Sequence, residues 1–402
     1  MITAMLAISF LGVLGSLIWL VHLAHLIRHR DKVLFLADLP DDRPDRGWPT
    51  LAVAFAARDE AGGVEAAARS MLAQGYPRSE VIAVDDRSTD ATGAILDAIA
   101  REDDRLRVVH VRELPAGWLG KTHALHVAAG ATRAEWVLFT DADVVLRPGA
   151  LRKAVAFAEA EGADLVTVAP EVPTESVGER AFLSIFGPLF AMNAPVGRLG
   201  DPRSKAHAGI GAFNLVRAGA FRSIGGFHHL RLSVDDDMRL AQAMKFAGYR
   251  MRFLMGRDAV SVRWQVGLGG MVRGLEKNFF AALGYRLDRT AVVILGLLTV
   301  GIMPYVGLFV GPWWARSTCV AGIAAVAIIL AAASSHSRIG WYYALILPFA
   351  AVAVLVSLVR SVALTLLRDG VRWRGHHYPL DELRRHVRIR DAWSREVWKS
   401  TR

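Results

Sequence analysis

The chain has 402 residues, 53% of them hydrophobic and 21% charged, with a formal net charge of +10. That length allows one large domain or two ordinary ones. The single cysteine, Cys319, excludes an internal disulfide and any cysteine-based metal centre. The basic excess calls for an anionic partner, yet no groove-reading motif accompanies it, so no nucleic acid is expected. Basic residues gather instead beside apolar segments, where anionic lipid headgroups attract them.

Residues 1–27 contain no Asp, Glu, Lys or Arg. No basic residue precedes this run and it is long for a signal peptide, so it reads as a retained transmembrane anchor. Arg28, His29, Arg30 and Lys32 follow it directly. Such a basic flank places the next domain in the cytoplasm. Residues 28–49 read as a linker, rich in Asp, Arg and Pro in the stretch DLPDDRPDRGWP.

A strand–helix alternation begins at residue 50. Strands are predicted at 51–57, 81–84, 106–111, 136–140 and 164–169, with helices at about 63–74, 90–101, 121–131 and 149–161. This pattern predicts an α/β fold with a mostly parallel central sheet covered on both faces, over residues 50–262. Ligands of such sheets bind beyond the carboxyl ends of the strands. Asp86 and Asp141 both fall at such ends.

The apolar stretch 179–197 is broken by Pro188 and Pro195 and reads as a core or interfacial segment. Residues 263–290 are predicted as an amphipathic interfacial segment, with Arg273, Glu276 and Lys277 among apolar residues. Three uncharged stretches follow at 291–315, 317–337 and 339–359. Each exceeds the roughly 18–20 residues that cross a bilayer core as a helix. Residues 291–367 therefore hold two or three further spans. Pro304 and Pro312 make 291–315 the first candidate for an incomplete crossing, because proline frees backbone groups that lipid cannot satisfy. Residues 368–402 form a basic tail expected on the cytoplasmic side.

Four clusters carry chemistry. VDDRSTDAT, 84–92, ends a strand with two acids and opens a helix. Helix capping accounts for Asp90 but not for the pair Asp85–Asp86. DAD, 141–143, follows the strand WVLFT. Two carboxylates so spaced at a strand end suit a hard divalent cation that shares its shell with substrate phosphates. VDDDMRL, 234–240, opens a helix, where a carboxylate such as Asp236 or Asp237 can serve as general base toward an acceptor hydroxyl. GWLGKTHAL, 117–125, puts Lys121 at a helix start that already favours anions.

Order and spacing of these clusters resemble the inverting family 2 glycosyltransferases of the GT-A fold, over about residues 50–285. The landmarks are AARDEA (56–61), QGYP (74–77), VDDRSTDAT, GWLGK, DAD, SIGGF (223–227) and DDDMRLAQAMKFAGYR (235–250). The resemblance implies that Glu60 and Asp86 line a nucleoside pocket and that Asp141 lies near the ribose or metal. It implies that Asp143 binds Mg²⁺ or Mn²⁺ and that Asp237 is the base. Asp236 stands where the family often has Glu. The membrane-bound ceramide glucosyltransferases and hopanoid- or carotenoid-associated bacterial enzymes look similar. They share a WRG-x-x-Y ending with VRWRGHHYPL, 371–380. The resemblance then implies transfer from a nucleotide-sugar, a UDP-sugar first among them, to a lipid or isoprenoid acceptor in the membrane. Processive polysaccharide synthases share the core and carry a Gln-x-x-Arg-Trp motif. Here Arg263 and Trp264 are preceded by Val260 in place of Gln, which favours single transfer. A non-catalytic nucleotide-sugar-binding scaffold is the remaining alternative. Gln265, Arg273 and Lys277 are further candidates for phosphate or acceptor contacts, with membrane-surface anchoring an equal alternative for Arg273 and Lys277.

Overall fold

The computed structural model describes residues 2–401. Met1 and Arg402, the ends of the predicted anchor and tail, lie outside the described residues. The chain divides into two compact units.

The first unit joins Met1–Lys32, Pro173–Gly197 and Trp264–Leu380. It is helical. Three of its segments, Thr3–Arg28, Trp313–Ser334 and Trp341–Leu367, are long and apolar enough to cross a membrane. The 291–315 stretch is not among them. It divides into helix Leu287–Gly301 and helix Met303–Gly307, with Pro304 opening the second. The helices pack through small residues. A methyl group on Gly15 would come within 2.0 Å of the Thr299 carbonyl oxygen, and one on Gly322 within 2.5 Å of Ser16. Close backbone approach of this kind is how helices associate in lipid, where apolar burial drives nothing. Trp19, fully buried, donates its indole N–H to the Val300 carbonyl at 2.8 Å.

The segment 263–290, predicted as amphipathic, is not one continuous helix. It forms two short helices, Gly267–Gly274 and Asn278–Ala282. The run GLGGMVRG carries little helix propensity, since glycine costs about 1 kcal/mol per interior position relative to alanine. The 179–197 stretch falls in helix Val177–Asn193, which contains Pro188 and is capped by Ser176 on the Glu179 N–H.

The second unit joins Val33–Val172, Arg198–Arg263 and Asp381–Arg402. Its core is an eight-stranded sheet. The strands are β1 (Leu51–Ala57), β2 (Ser79–Asp86), β3 (Leu106–Val111), β4 (Trp136–Asp141), β5 (Val144–Leu146), β6 (Leu165–Glu171), β7 (Asn214–Arg217) and β8 (Met251–Val262). Their order is β3-β2-β1-β4-β7-β6-β8-β5. The half containing β3, β2, β1 and β4 is wholly parallel. β7 runs antiparallel to β4 and β6, while β6 and β8 are again parallel. The α/β fold class expected from the strand–helix alternation is thus observed, as a mostly parallel sheet. Parallel strands buried on both faces need continuous apolar runs, and LAVAFAA in β1 supplies one.

The ends of this unit are structured. Within the predicted linker, Leu36 is fully buried and Leu34 accepts a hydrogen bond from the Met255 N–H. The basic tail begins with a hairpin of β9 (Gly370–Trp373) and β10 (His376–Pro379), which belongs to the first unit. Helix Leu380–Ser400 follows. Its buried residues Leu383, His386, Val387, Arg390 and Ser394 recur at helical spacing and form one face.

Candidate active site

Register sets the site. β1 lies between β2 and β4, with Ala57 opposite Asp85 and Ala56 opposite Asp141. The two acidic clusters therefore flank the carboxyl end of one strand, where parallel sheets bind ligands.

The loop after β1 is pinned by residues of the first cluster. Ser88 accepts from the Asp59 N–H at 3.1 Å, Thr92 from the Glu60 N–H at 2.8 Å and Asp90 from the Ala61 N–H at 3.1 Å. Asp90 also accepts from the Thr92 N–H and hydroxyl, and these bonds hold its carboxyl below the ordinary range. The cluster is thus a clamp as well as a source of acids.

Asp86 is almost fully buried and held bidentately by Arg87, at 2.8 and 2.9 Å. Arg87 adopts φ 59°, an uncommon conformation for a non-glycine residue. A methyl group on Gly120 would sit 2.3 Å from the Asp86 carboxylate, so the helix start that carries Lys121 can approach only because this residue is glycine. Arg87 was not singled out from sequence. Its position directly after the acid pair was the available signal.

Lys121 joins the other clusters. Its Nζ lies 2.7 Å from Asp141 and 3.6 Å from Asp236. Burial opposes its charge, but Asp141, Asp236 and Asp237 outweigh that and hold its pKa above the usual lysine value. Asp237 has a pKa raised above the ordinary carboxylate value by burial, against the opposing pull of Lys121. Both its oxygens accept backbone N–H groups at 2.7 Å, from Gly211 and from Met238. Asp236, nearly buried, is the first residue of helix Asp236–Phe246. Asp235 has a different role. It pairs with Arg239 at 2.8 Å and Arg390 at 3.9 Å, and although burial opposes its charge those arginines pull its pKa down.

Asp143 follows β4 in the turn to β5 and is exposed. Partial desolvation, with the charges of Asp141 and Glu60, pushes its carboxyl up to about 6. Glu60 therefore shares this rim. Crowded carboxylates of this kind suit a divalent oxygen-seeking cation, so the donor set fits Mg²⁺ or Mn²⁺ on Asp143 and Asp141. Among the described residues no group of three or more His, Cys, Asp or Glu is gathered to hold an ion.

The sequence stretch AGIGAF, 208–213, carries no charged or nucleophilic side chain to mark it, yet it borders the site. A methyl group on Gly211 would lie 2.5 Å from the Asp141 carboxylate, and one on Gly209 only 1.9 Å from the Asp237 carbonyl oxygen. The two glycines let this segment pass between the acidic clusters. Gln265, Arg273 and Lys277 fall in the first unit. There Gln265 packs beside Gly274, Arg273 beside Gly269, and the Lys277 ammonium lies 3.7 Å above the Trp373 ring.

Over 200 residues the chain is 26% identical to the beta-monoglucosyldiacylglycerol synthase of Synechocystis sp., covering 48% of this chain and 40% of that protein. Over 117 residues it is 34% identical to the succinoglycan biosynthesis protein ExoO of Rhizobium meliloti, covering 29% of this chain and 32% of that protein. The matched regions thus span well under half the length of either relative. Among solved structures, the mannosyltransferase PcManGT from Pyrobaculum calidifontis in complex with GDP-Man and Mn²⁺ superposes with a TM-score of 0.53 at 18% identity. That match covers 88% of this chain and 99% of the other, a likeness of fold. Residues 53–225 match the family described as Glycosyl transferase family 2. Over residues 53–225 the chain is thus similar to glycosyl transferase family 2, and its α/β unit has a GT-A-like fold.

Proposed function

We propose that the chain is an inverting glycosyltransferase. It moves a sugar from a nucleotide-diphosphate-sugar, a UDP-sugar by preference, onto a hydroxyl of a membrane lipid or isoprenoid-type acceptor. The observation that carries this reading is the Asp237 carboxylate, oriented by two backbone N–H groups within one cluster with Lys121 and Asp141.

Of the three consecutive acids, Asp235 is committed to arginines and Asp236 is nearly buried against Lys121. Asp237 is left as the base. Its raised pKa strengthens it as a proton acceptor toward the acceptor hydroxyl oxygen. Asp86 and Glu60 line the nucleoside side, and Lys121 faces the diphosphate. A divalent cation on Asp143 and Asp141 would supply Lewis-acid stabilisation of the departing diphosphate. The similar fold solved with GDP-Man and Mn²⁺ and the likeness to beta-monoglucosyldiacylglycerol synthases support the donor and acceptor classes.

The membrane reading rests on chain continuity. Two candidate spans, Trp313–Ser334 and Trp341–Leu367, separate residue 263 from residue 381, and both of these residues belong to the second unit. Two crossings return the chain to the side it left, as one compact unit requires. The span Thr3–Arg28 is then the third, and the basic residues after it put the second unit in the cytoplasm.

The test is incubation of the purified chain with labelled nucleotide-sugars and a membrane lipid extract. One glycolipid carrying one sugar is expected. A ladder of product lengths would favour a processive synthase, and donor binding without transfer a scaffold.

A further inference from the structure

The second unit contains a cavity of about 300 Å³ that shares no lining residue with the acidic cleft. It lies between the segment 228–232 and helix Leu380–Ser400. We infer that this cavity binds a phosphate group, independently of the donor site.

Three guanidinium groups line it, from Arg231, Arg385 and Arg390, against one lining carboxylate, Glu382. Arg231 has no carboxylate partner among the described residues. Arg385 reaches Asp381 at 3.4 Å, but both side chains are largely exposed, and such pairs hold weakly. Arg390 is buried and already engaged by Asp391 at 3.0 Å, the Ser233 hydroxyl at 3.2 Å and Asp235 at 3.9 Å, so it forms a fixed wall and leaves Arg231 and Arg385 as the forks open to a ligand. Planar guanidinium forks recognise phosphate bidentately, and pre-set geometry lowers the cost of binding.

The histidines add donors without adding charge. His386 is buried, and desolvation first, then Arg390 and Arg231, lower its pKa to about 4. His229 stacks on Trp393 with ring centroids 4.7 Å apart, and burial lowers its pKa also. Neutral imidazoles keep one N–H each for an anion. The volume is at the lower end of the roughly 300–1,000 Å³ found for small-ligand sites, enough for a phosphate and the group that bears it.

The segment that carries Arg231 is tied to the helix start that carries Lys121. The Arg231 carbonyl accepts from the Leu119 N–H at 2.8 Å and from the Thr122 hydroxyl at 2.6 Å. Helix Leu380–Ser400 begins 13 residues after the candidate span Trp341–Leu367 ends, counting from Leu367 to Leu380. A phospholipid headgroup and free phosphate offer the same chemistry.

The experiment uses the full chain in an uncharged detergent, with phosphatidic acid, diacylglycerol and inorganic phosphate as probes, and native mass spectrometry as the readout. Phosphatidic acid should bind at least about tenfold more tightly than diacylglycerol, which differs from it only in lacking the phosphate. The double variant Arg231→Gln, Arg385→Gln should lose about tenfold of that binding while keeping its melting temperature. Both side chains reach solvent, so the fold does not depend on them. Displacement by millimolar inorganic phosphate assigns the site to free phosphate, and resistance to it assigns a lipid headgroup. Equal binding of wild type and double variant, or equal binding of the two lipids, overturns the inference. No outcome depends on sugar transfer.

Discussion

The Lys121 ammonium lies 2.7 Å from the Asp141 carboxylate, so two groups that would each face the donor diphosphate hold one another in place. The Lys121 charge also pulls the pKa of both Asp143 and Asp237 down, against the burial that raises them. Lys121→Met leaves Asp141 and Asp236 without that partner. Stability should fall by roughly 1–3 kcal/mol, the range for losing a charged contact that is not fully buried. A lowered melting temperature checks this, with donor affinity lowered as well. An unchanged melting temperature would show that the acids need no such partner.

Asp237→Asn tests the base. The amide keeps the side chain's shape and one acceptor oxygen, but it cannot take a proton. Turnover should drop by roughly 10²–10⁴-fold. Donor affinity, read by nucleotide titration, should hold. Asp236→Asn provides the contrast, because Asp236 faces Lys121 from a nearly buried position and its loss should disturb donor binding too.

The paired glycines at 209 and 211 should differ in severity. In Gly209→Ala the new methyl meets the Asp237 main-chain carbonyl, which cannot turn aside without moving helix Asp236–Phe246. In Gly211→Ala it meets the end of the Asp141 side chain, which can rotate. Gly209→Ala is expected to abolish activity and lower the melting temperature. Gly211→Ala should keep most of the stability and lose metal or donor affinity.

Much of this site was legible because its acids end strands or open helices. β1, β3 and β4 are continuous runs between turn residues, and the acids mark where β2 and β4 stop. Three strands were not legible. β5 and β7 are only three and four residues long. β8 contains Gly256, Arg257 and Asp258, which break its apolar pattern, and Asp258 adopts φ 59°. The terminal helix read as a basic tail because its buried face mixes Leu383 and Val387 with His386, Arg390 and Ser394. Buried polar residues that partner Ser233 and Asp235 look solvated in a linear sequence. Arg87 escaped notice for the opposite reason, since its partner is its immediate neighbour and a single arginine has no spacing.

The proposed metal dependence can be tested through the crowding around Asp143. Excess chelator should abolish transfer, and added Mn²⁺ or Mg²⁺ should restore it. Asp143→Asn removes a ligand but also relieves the repulsion from Asp141 and Glu60. The variant should therefore fold at least as well as wild type and require far more metal for half-maximal rate. Full activity in chelator would remove Asp141 and Asp143 from this role.

His386 makes the packing of the terminal helix sensitive to acid. Its pKa falls from 6.5 to about 4, by burial first and then by the charges of Arg390 and Arg231, with Asp235 acting the other way. The unfolded chain therefore binds a proton at higher pH than the folded chain. Between pH 6.5 and about 4 the unfolded state holds more protons, so stability falls as pH falls through that window. The full effect is on the order of 3 kcal/mol. His386→Gln keeps a polar group toward Ser233 and removes the titration. Melting curves at pH 7 and pH 5 should show a smaller acid loss in the variant than in wild type. Equal losses would mean that His386 is protonated in the folded chain, and that water reaches it beside Arg390.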